Sequence, residues 1–156
     1  LRRLELDGHV SEILSADSRT GAPVMVPAAA QGALAVETRD SLDREDPQLA
    51  QVLADLDDPA TRAAATAERA VLARLGAGCA APVGALARLI VEGGDALRLE
   101  AVVAALDGRT VLRESAVGPL SEAQVLGTRV AQALLTAGAT RVADLRAGSV
   151  SRKDLR

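Results

Sequence analysis

Residues 66 to 87 read TAERAVLARLGAGCAAPVGALA and contain Cys79, the single cysteine of the 156-residue chain. Before the Gly76-Ala77-Gly78-Cys79 turn, Ala60, Ala64, Ala67, Val71 and Leu75 recur at helical spacing, and Gly76 supplies the permissive backbone that ends a helix. After it, Val83, Ala85, Ala87, Leu89 and Val91 alternate with Gly84, Leu86, Arg88, Ile90 and Glu92, the pattern of a strand with one buried face. The thiol therefore falls on a short loop held at both ends by packed elements. Such a loop can be exposed and still fixed in place, and its glycines admit close approach to the backbone.

Working outward toward the C-terminus, Gly93-Gly94-Asp95 turns the first strand (83–92) into a second, in which Leu97, Leu99, Ala101 and Val103 point one way. Asp107-Gly108 is a tight hairpin signal leading to a third strand over 110–117. Ser121 with Gln124 has the spacing of a capping box, opening a helix over 122–137 with Leu126, Val130, Ala133, Leu134 and Ala137 on one face and Gly138 at its end. The economical arrangement is an α+β domain over 59–146, a three-stranded antiparallel sheet covered on one face by the 59–75 and 122–137 helices.

Toward the N-terminus, Asp57-Asp58-Pro59 and Asp46-Pro47 each combine a capping carboxylate with proline in the first turn. They frame a connecting helix over 46–58 whose Leu49, Val52, Leu53 and Leu56 form an apolar face. Residues 1–45 are expected to be an incomplete α/β piece. It holds a short helix with Val10, Ile13 and Leu14 as its stripe, a loop over 15–23, a strand at Val24-Met25-Val26, and a Gln31-Gly32 loop that is either a plain connecting turn or a donor of backbone N–H groups to an anion or a ligand carbonyl. The only histidine, His9, has no second ligand at metal spacing, so no metal site is expected. Residues 147–156 form a polar tail, and the chain reads as a piece of a longer protein.

Composition bounds the function. A net charge of −3, a pI near 5.2 and the absence of Phe, Tyr and Trp leave neither a basic footprint nor a stacking platform for nucleic acid. One cysteine excludes an internal disulfide and suits a reducing cytoplasm. No apolar run reaches membrane-spanning length, so no membrane role is expected.

Glu68-Arg69, the spacer ending in Leu75, Gly78-Cys79, Pro82 and Gly84 resemble the sequence around the cofactor-attachment cysteine of the hydroxymethylbilane synthase (porphobilinogen deaminase) family. Pro27 to Glu37, with its Gln31-Gly32-Ala33-Leu34, resembles a second stretch of the same family. Three positions depart from the family pattern: Ala30 and Ala77 stand where glycine is usual, and Ala81 where a β-branched residue is usual. The resemblance spans roughly residues 1 to 146 and implies the C-terminal half of a three-domain transferase with a two-lobed, periplasmic-binding-protein-like fold. Residues 1–45 would then be the end of domain 2 and the return strand of domain 1, and 59–146 the cofactor-tethering domain.

What the resemblance implies about chemistry is specific. Cys79 would carry a dipyrromethane through a thioether, and four porphobilinogen units would be added to it, with loss of ammonia, to give hydroxymethylbilane. Arg3, Gln31 and Gly32 would bind substrate, Arg3 by pairing with pyrrole carboxylates. The family's catalytic aspartate lies in the absent N-terminal half, so no residue of this chain takes that role and the fragment alone would be inactive. The full-length enzyme would be a cytoplasmic monomer. Glu68 and Arg69 are expected to pair or to cap the helix. Two other classes stay open, a non-catalytic ligand-binding or interaction domain of the same fold and an unrelated enzyme using Cys79 as a thiolate nucleophile.

Overall fold

The computed structural model describes residues 2–16, 25–90 and 95–146. Its order after two short 3-10 turns, Arg2–Leu4 and Asp7–His9, is α1 (Leu42–Glu45), α2 (Pro47–Leu56), α3 (Pro59–Leu75), β1 (Val83–Ile90), β2 (Ala96–Ala104), β3 (Val111–Pro119), α4 (Ala123–Thr136) and α5 (Ala139–Val142). The three strands form one antiparallel sheet in the order β1-β2-β3, with Leu99 opposite Ala87 on one side and Ala116 on the other. This is the α+β domain expected from the sequence.

The alternation in β2 places Leu97, Leu99, Ala101 and Val103 on one face, and all four are fully buried under α3 and α4. From the helices, Ala67, Val71 and Leu75 meet Leu126, Val130 and Leu134. Each fully buried Leu or Val contributes on the order of 1.5–3 kcal/mol. With no aromatic ring to fill space, close backbone approach does part of the packing. Gly127 in α4 lies so near α3 that a Cβ there would stand 2.2 Å from the Ala67 carbonyl oxygen.

Helix starts and stops follow the sequence closely. Asp46 and Asp58 cap α2 and α3, accepting from the backbone N–H of Leu49 at 2.9 Å and of Thr61 at 2.6 Å. Hydrogen bonds from Thr61 hold the Asp58 carboxyl below its usual range. Gly76 ends α3 at φ 64°, in the left-handed region. In the hairpin between β2 and β3, Gly108 has φ 70° and the N–H of Arg109 donates to Asp107.

Several expectations are corrected. No helix among the described residues carries Val10, Ile13 and Leu14: the chain there is irregular, and all three are exposed. Met25 and Val26 are not in a strand; Met25 donates to the Ser15 carbonyl, and Val26 is buried at the edge of β1. The face of α2 is not a buried one, with Leu49, Val52 and Leu56 all exposed. Ser121 and Gln124 form no capping box, because a 3-10 turn, Leu120–Glu122, precedes α4 and moves the cap to Glu122. Ala137 is exposed, and β3 runs on to Pro119. Val24, the Gly93-Gly94 turn, most of the 15–23 loop and the 147–156 tail lie outside the described residues.

Candidate functional site

The cysteine loop is short because α3 and β1 converge. After Gly76, the N–H of Ala77 donates to the Leu72 carbonyl, and the N–H of Gly78 donates to the Leu145 carbonyl at 2.8 Å, which ties the loop to the segment after α5. Ala81 donates back to Gly78 and Val83 to Ala81, so the chain makes two tight turns before entering β1. Cys79 stands at the apex, exposed, with the small residues Gly78, Ala80 and Ala81 around it. A thiol so placed is accessible to a bulky electrophile, while its backbone is fixed from both sides.

The Gln31-Gly32 turn is also exposed, with φ 61° at Ala30 and 81° at Gly32. Glycine adopts that geometry at no cost, whereas Ala30 carries strain of about 1–2 kcal/mol. The turn lies against the cysteine domain. The Pro27 carbonyl accepts from the N–H of Ala85 at 2.9 Å, along the outer edge of β1. Gly84 is what lets it come so close, because a Cβ there would sit 2.5 Å from the Val26 carbonyl oxygen.

Glu68 takes a part that the sequence did not disclose. It neither pairs with Arg69, which is exposed, nor caps α3; it is buried, with only 6 % of its surface accessible. One carboxylate oxygen accepts from the N–H of Ala30 at 2.5 Å, and the other accepts from the N–H of Ala87 at 2.7 Å. Burial pushes the carboxyl above its usual range, opposed by those two backbone hydrogen bonds. The signal was in the periodicity: Glu68 falls between Ala64 and Val71 on the apolar face of α3, where a carboxylate needs partners.

Arg3 lies exposed in the first 3-10 turn, and its side chain makes no hydrogen bond or ion pair among the described residues. Beside the Gln31-Gly32 turn runs an open groove of about 960 Å³ between residues 30–43, α2 and the first half of α3, with Arg39, Arg62 and Arg69 on its walls. Arg3, Gln31 and Cys79 are not among its lining residues. The structure thus joins the Gln31-Gly32 turn to the cysteine domain through Ala30 and Pro27.

An exposed thiol on a helix-to-strand loop, beside a three-stranded antiparallel sheet backed by two helices, makes this an α+β domain with a cysteine at its surface. Residues 62–136 match the family described as "Porphobilinogen deaminase, C-terminal domain". The chain is 53% identical over 119 residues to a porphobilinogen deaminase of Acidothermus cellulolyticus, covering 76% of this chain and 35% of that protein. It is 47% identical over 163 residues to one of Cutibacterium acnes, covering 97% and 47%, and 49% identical over 146 residues to one of Mycobacterium avium, covering 89% and 43%. The chain belongs to the porphobilinogen deaminase family, and it spans less than half the length of these relatives. No helix among the described residues is long and apolar enough to cross a membrane.

Proposed function

We propose that this chain is the C-terminal half of a transferase that polymerises four porphobilinogen units into hydroxymethylbilane, with loss of ammonia, and that Cys79 is its covalent attachment point. The observation that carries the reading is the exposed Cys79 thiol on a loop pinned by Gly78 to Leu145, inside the segment that matches the family.

The residues present fit a dipyrromethane. The Cys79 sulfur is accessible, its neighbours are small, and its loop is fixed, as a tether that serves many turnovers requires. A thioether resists displacement where an ester would not. When bound, the dipyrromethane would supply the free pyrrole α-carbon to which the first unit is joined, each later unit joining the end of the growing chain. Arg3 offers a planar fork to acetate and propionate groups, and the exposed backbone around Gln31 and Gly32 offers N–H donors. Residues 1–45 then belong to an incomplete α/β piece of a two-lobed fold, 46–58 connect, and 59–146 form the tethering domain. The residue that handles protons at the pyrrole nitrogens lies in the half this chain lacks, so the fragment alone is inactive.

In this reading the full-length protein works as a cytoplasmic monomer on a small molecule, without nucleic acid or membrane. The test uses the full-length protein with porphobilinogen. Four equivalents consumed and four of ammonia released per hydroxymethylbilane are expected, with a KM raised several-fold in Arg3→Ala. A folded full-length protein that consumes no porphobilinogen overturns the reading.

A further inference from the structure

Three contacts hold the segment before Gln31 to the cysteine domain, and they converge on one short stretch of edge. The outer N–H groups of β1 at Ala85 and Ala87 face away from β2, where an edge strand would otherwise present unpaired donors. Ala85 donates to the Pro27 carbonyl and Ala87 to Glu68. Val26 is buried beside them over Gly84. The second oxygen of Glu68 accepts from Ala30, the residue directly before Gln31.

We propose that Glu68 is a positioning residue that fixes the Gln31-Gly32 turn relative to the Cys79 loop, its two carboxylate oxygens spanning from the N–H of Ala30 to the N–H of Ala87. The inference rests on reading that turn and Cys79 as parts of one site. From Glu68 the rigid helix runs about 10 Å to Leu75, and the cysteine loop starts at Gly76. The turn and the loop are therefore both referenced to the same helix. A carboxylate offers one acceptor oxygen to each side. Two N–H donors point at it from different segments, and an amide of the same shape would turn an NH2 group toward one of them. The left-handed strain at Ala30 is held by this contact, which accepts the very N–H whose orientation φ sets.

The experiment is amide hydrogen exchange on the full chain, wild type against Glu68→Gln, with steady-state kinetics on the same pair in the full-length protein. Exchange at Ala30 or Ala87 should accelerate about 10- to 100-fold in the variant, the loss of a hydrogen bond to a charged acceptor. The amides of Leu99 and Val103 should stay as protected as in wild type. In the full-length variant KM for porphobilinogen should rise while kcat and the modification of Cys79 stay near wild type. Equal acceleration at Leu99 and Val103 would mean that Glu68 only stabilises the fold, and unchanged KM with Ala30 released would mean that the turn needs no fixing; either overturns the proposal. If Glu68→Gln does not fold, wild type decides, because an Ala30 amide that exchanges at the unprotected rate contradicts the contact. A Cys79 that carries no dipyrrole in wild type defeats the proposed function and leaves the exchange result standing.

Discussion

Replacing Gly127 by alanine sets two effects of opposite sign against each other. In an isolated helix the change stabilises by about 1 kcal/mol, since glycine is a poor helix former. In this fold the new Cβ would lie 2.2 Å from the Ala67 carbonyl oxygen and 2.6 Å from the Ala70 Cβ. The first is backbone and cannot rotate away, so α3 and α4 would have to part by on the order of 1 Å through a close-packed core. Overpacking of that kind costs about 1–3 kcal/mol, and a backbone clash belongs at or above the top of the range. The net expectation is a loss of about 2 kcal/mol, after the propensity gain is subtracted. Urea titration of the full chain reads this as a midpoint lower by about 1 M at unchanged slope. Thr128→Ala, on the exposed side of the same helix, should stay within about 0.5 kcal/mol of the parent. A Gly127→Ala protein as stable as the parent would show that the two helices do not approach as described.

Other outcomes follow from the same contacts. Ala30→Gly should raise stability by about 0.5 kcal/mol, relief of the left-handed strain being partly offset by glycine's larger unfolded-state entropy; a lower urea midpoint would contradict φ 61° at Ala30. Gly84→Ala should push Val26 and Pro27 off β1 and unprotect the Ala85 amide, so unchanged exchange there would refute the close approach. Glu68 is protonated more readily in the folded chain than in the unfolded one. Its contribution is therefore greatest at or below its ordinary value of 4.5 and is lost as pH rises through the raised folded value. Asp58 has the opposite sign, contributing above its ordinary 3.8 and losing that contribution as pH falls through its lowered folded value, so the two windows lie on opposite sides. Stability followed against pH in wild type and Glu68→Gln should differ in slope above 4.5, and parallel curves there would contradict a buried Glu68.

The α+β domain was legible because its signals are local. Alternation in Leu97, Leu99, Ala101 and Val103, the Asp58-Pro59 start and the Gly76 stop each fix one element with no reference to the rest. The loop that carries Cys79 followed from two such boundaries. The contacts of Glu68 were not legible, because hydrogen bonds to Ala30, thirty-eight residues earlier in the chain, and to Ala87, nineteen later, depend on tertiary placement. The same holds for Gly84 and Gly127, whose necessity is set by backbones of other segments. The exposed apolar side chains of α2 and of Val10, Ile13 and Leu14 misled the reading for a related reason: periodicity records which face is apolar and not whether anything covers it.

Whether Cys79 is a covalent tether can be read from the mass of the Cys79 peptide of the full-length protein. A dipyrromethane should be bound to the Cys79 sulfur in wild type and absent at that position in a folded Cys79→Ser variant, which should have lost polymerising activity, since a hydroxyl is a far poorer nucleophile than a thiolate. An unmodified Cys79 in a folded protein that turns over porphobilinogen, or a Cys79→Ser variant of normal activity, would contradict the tether.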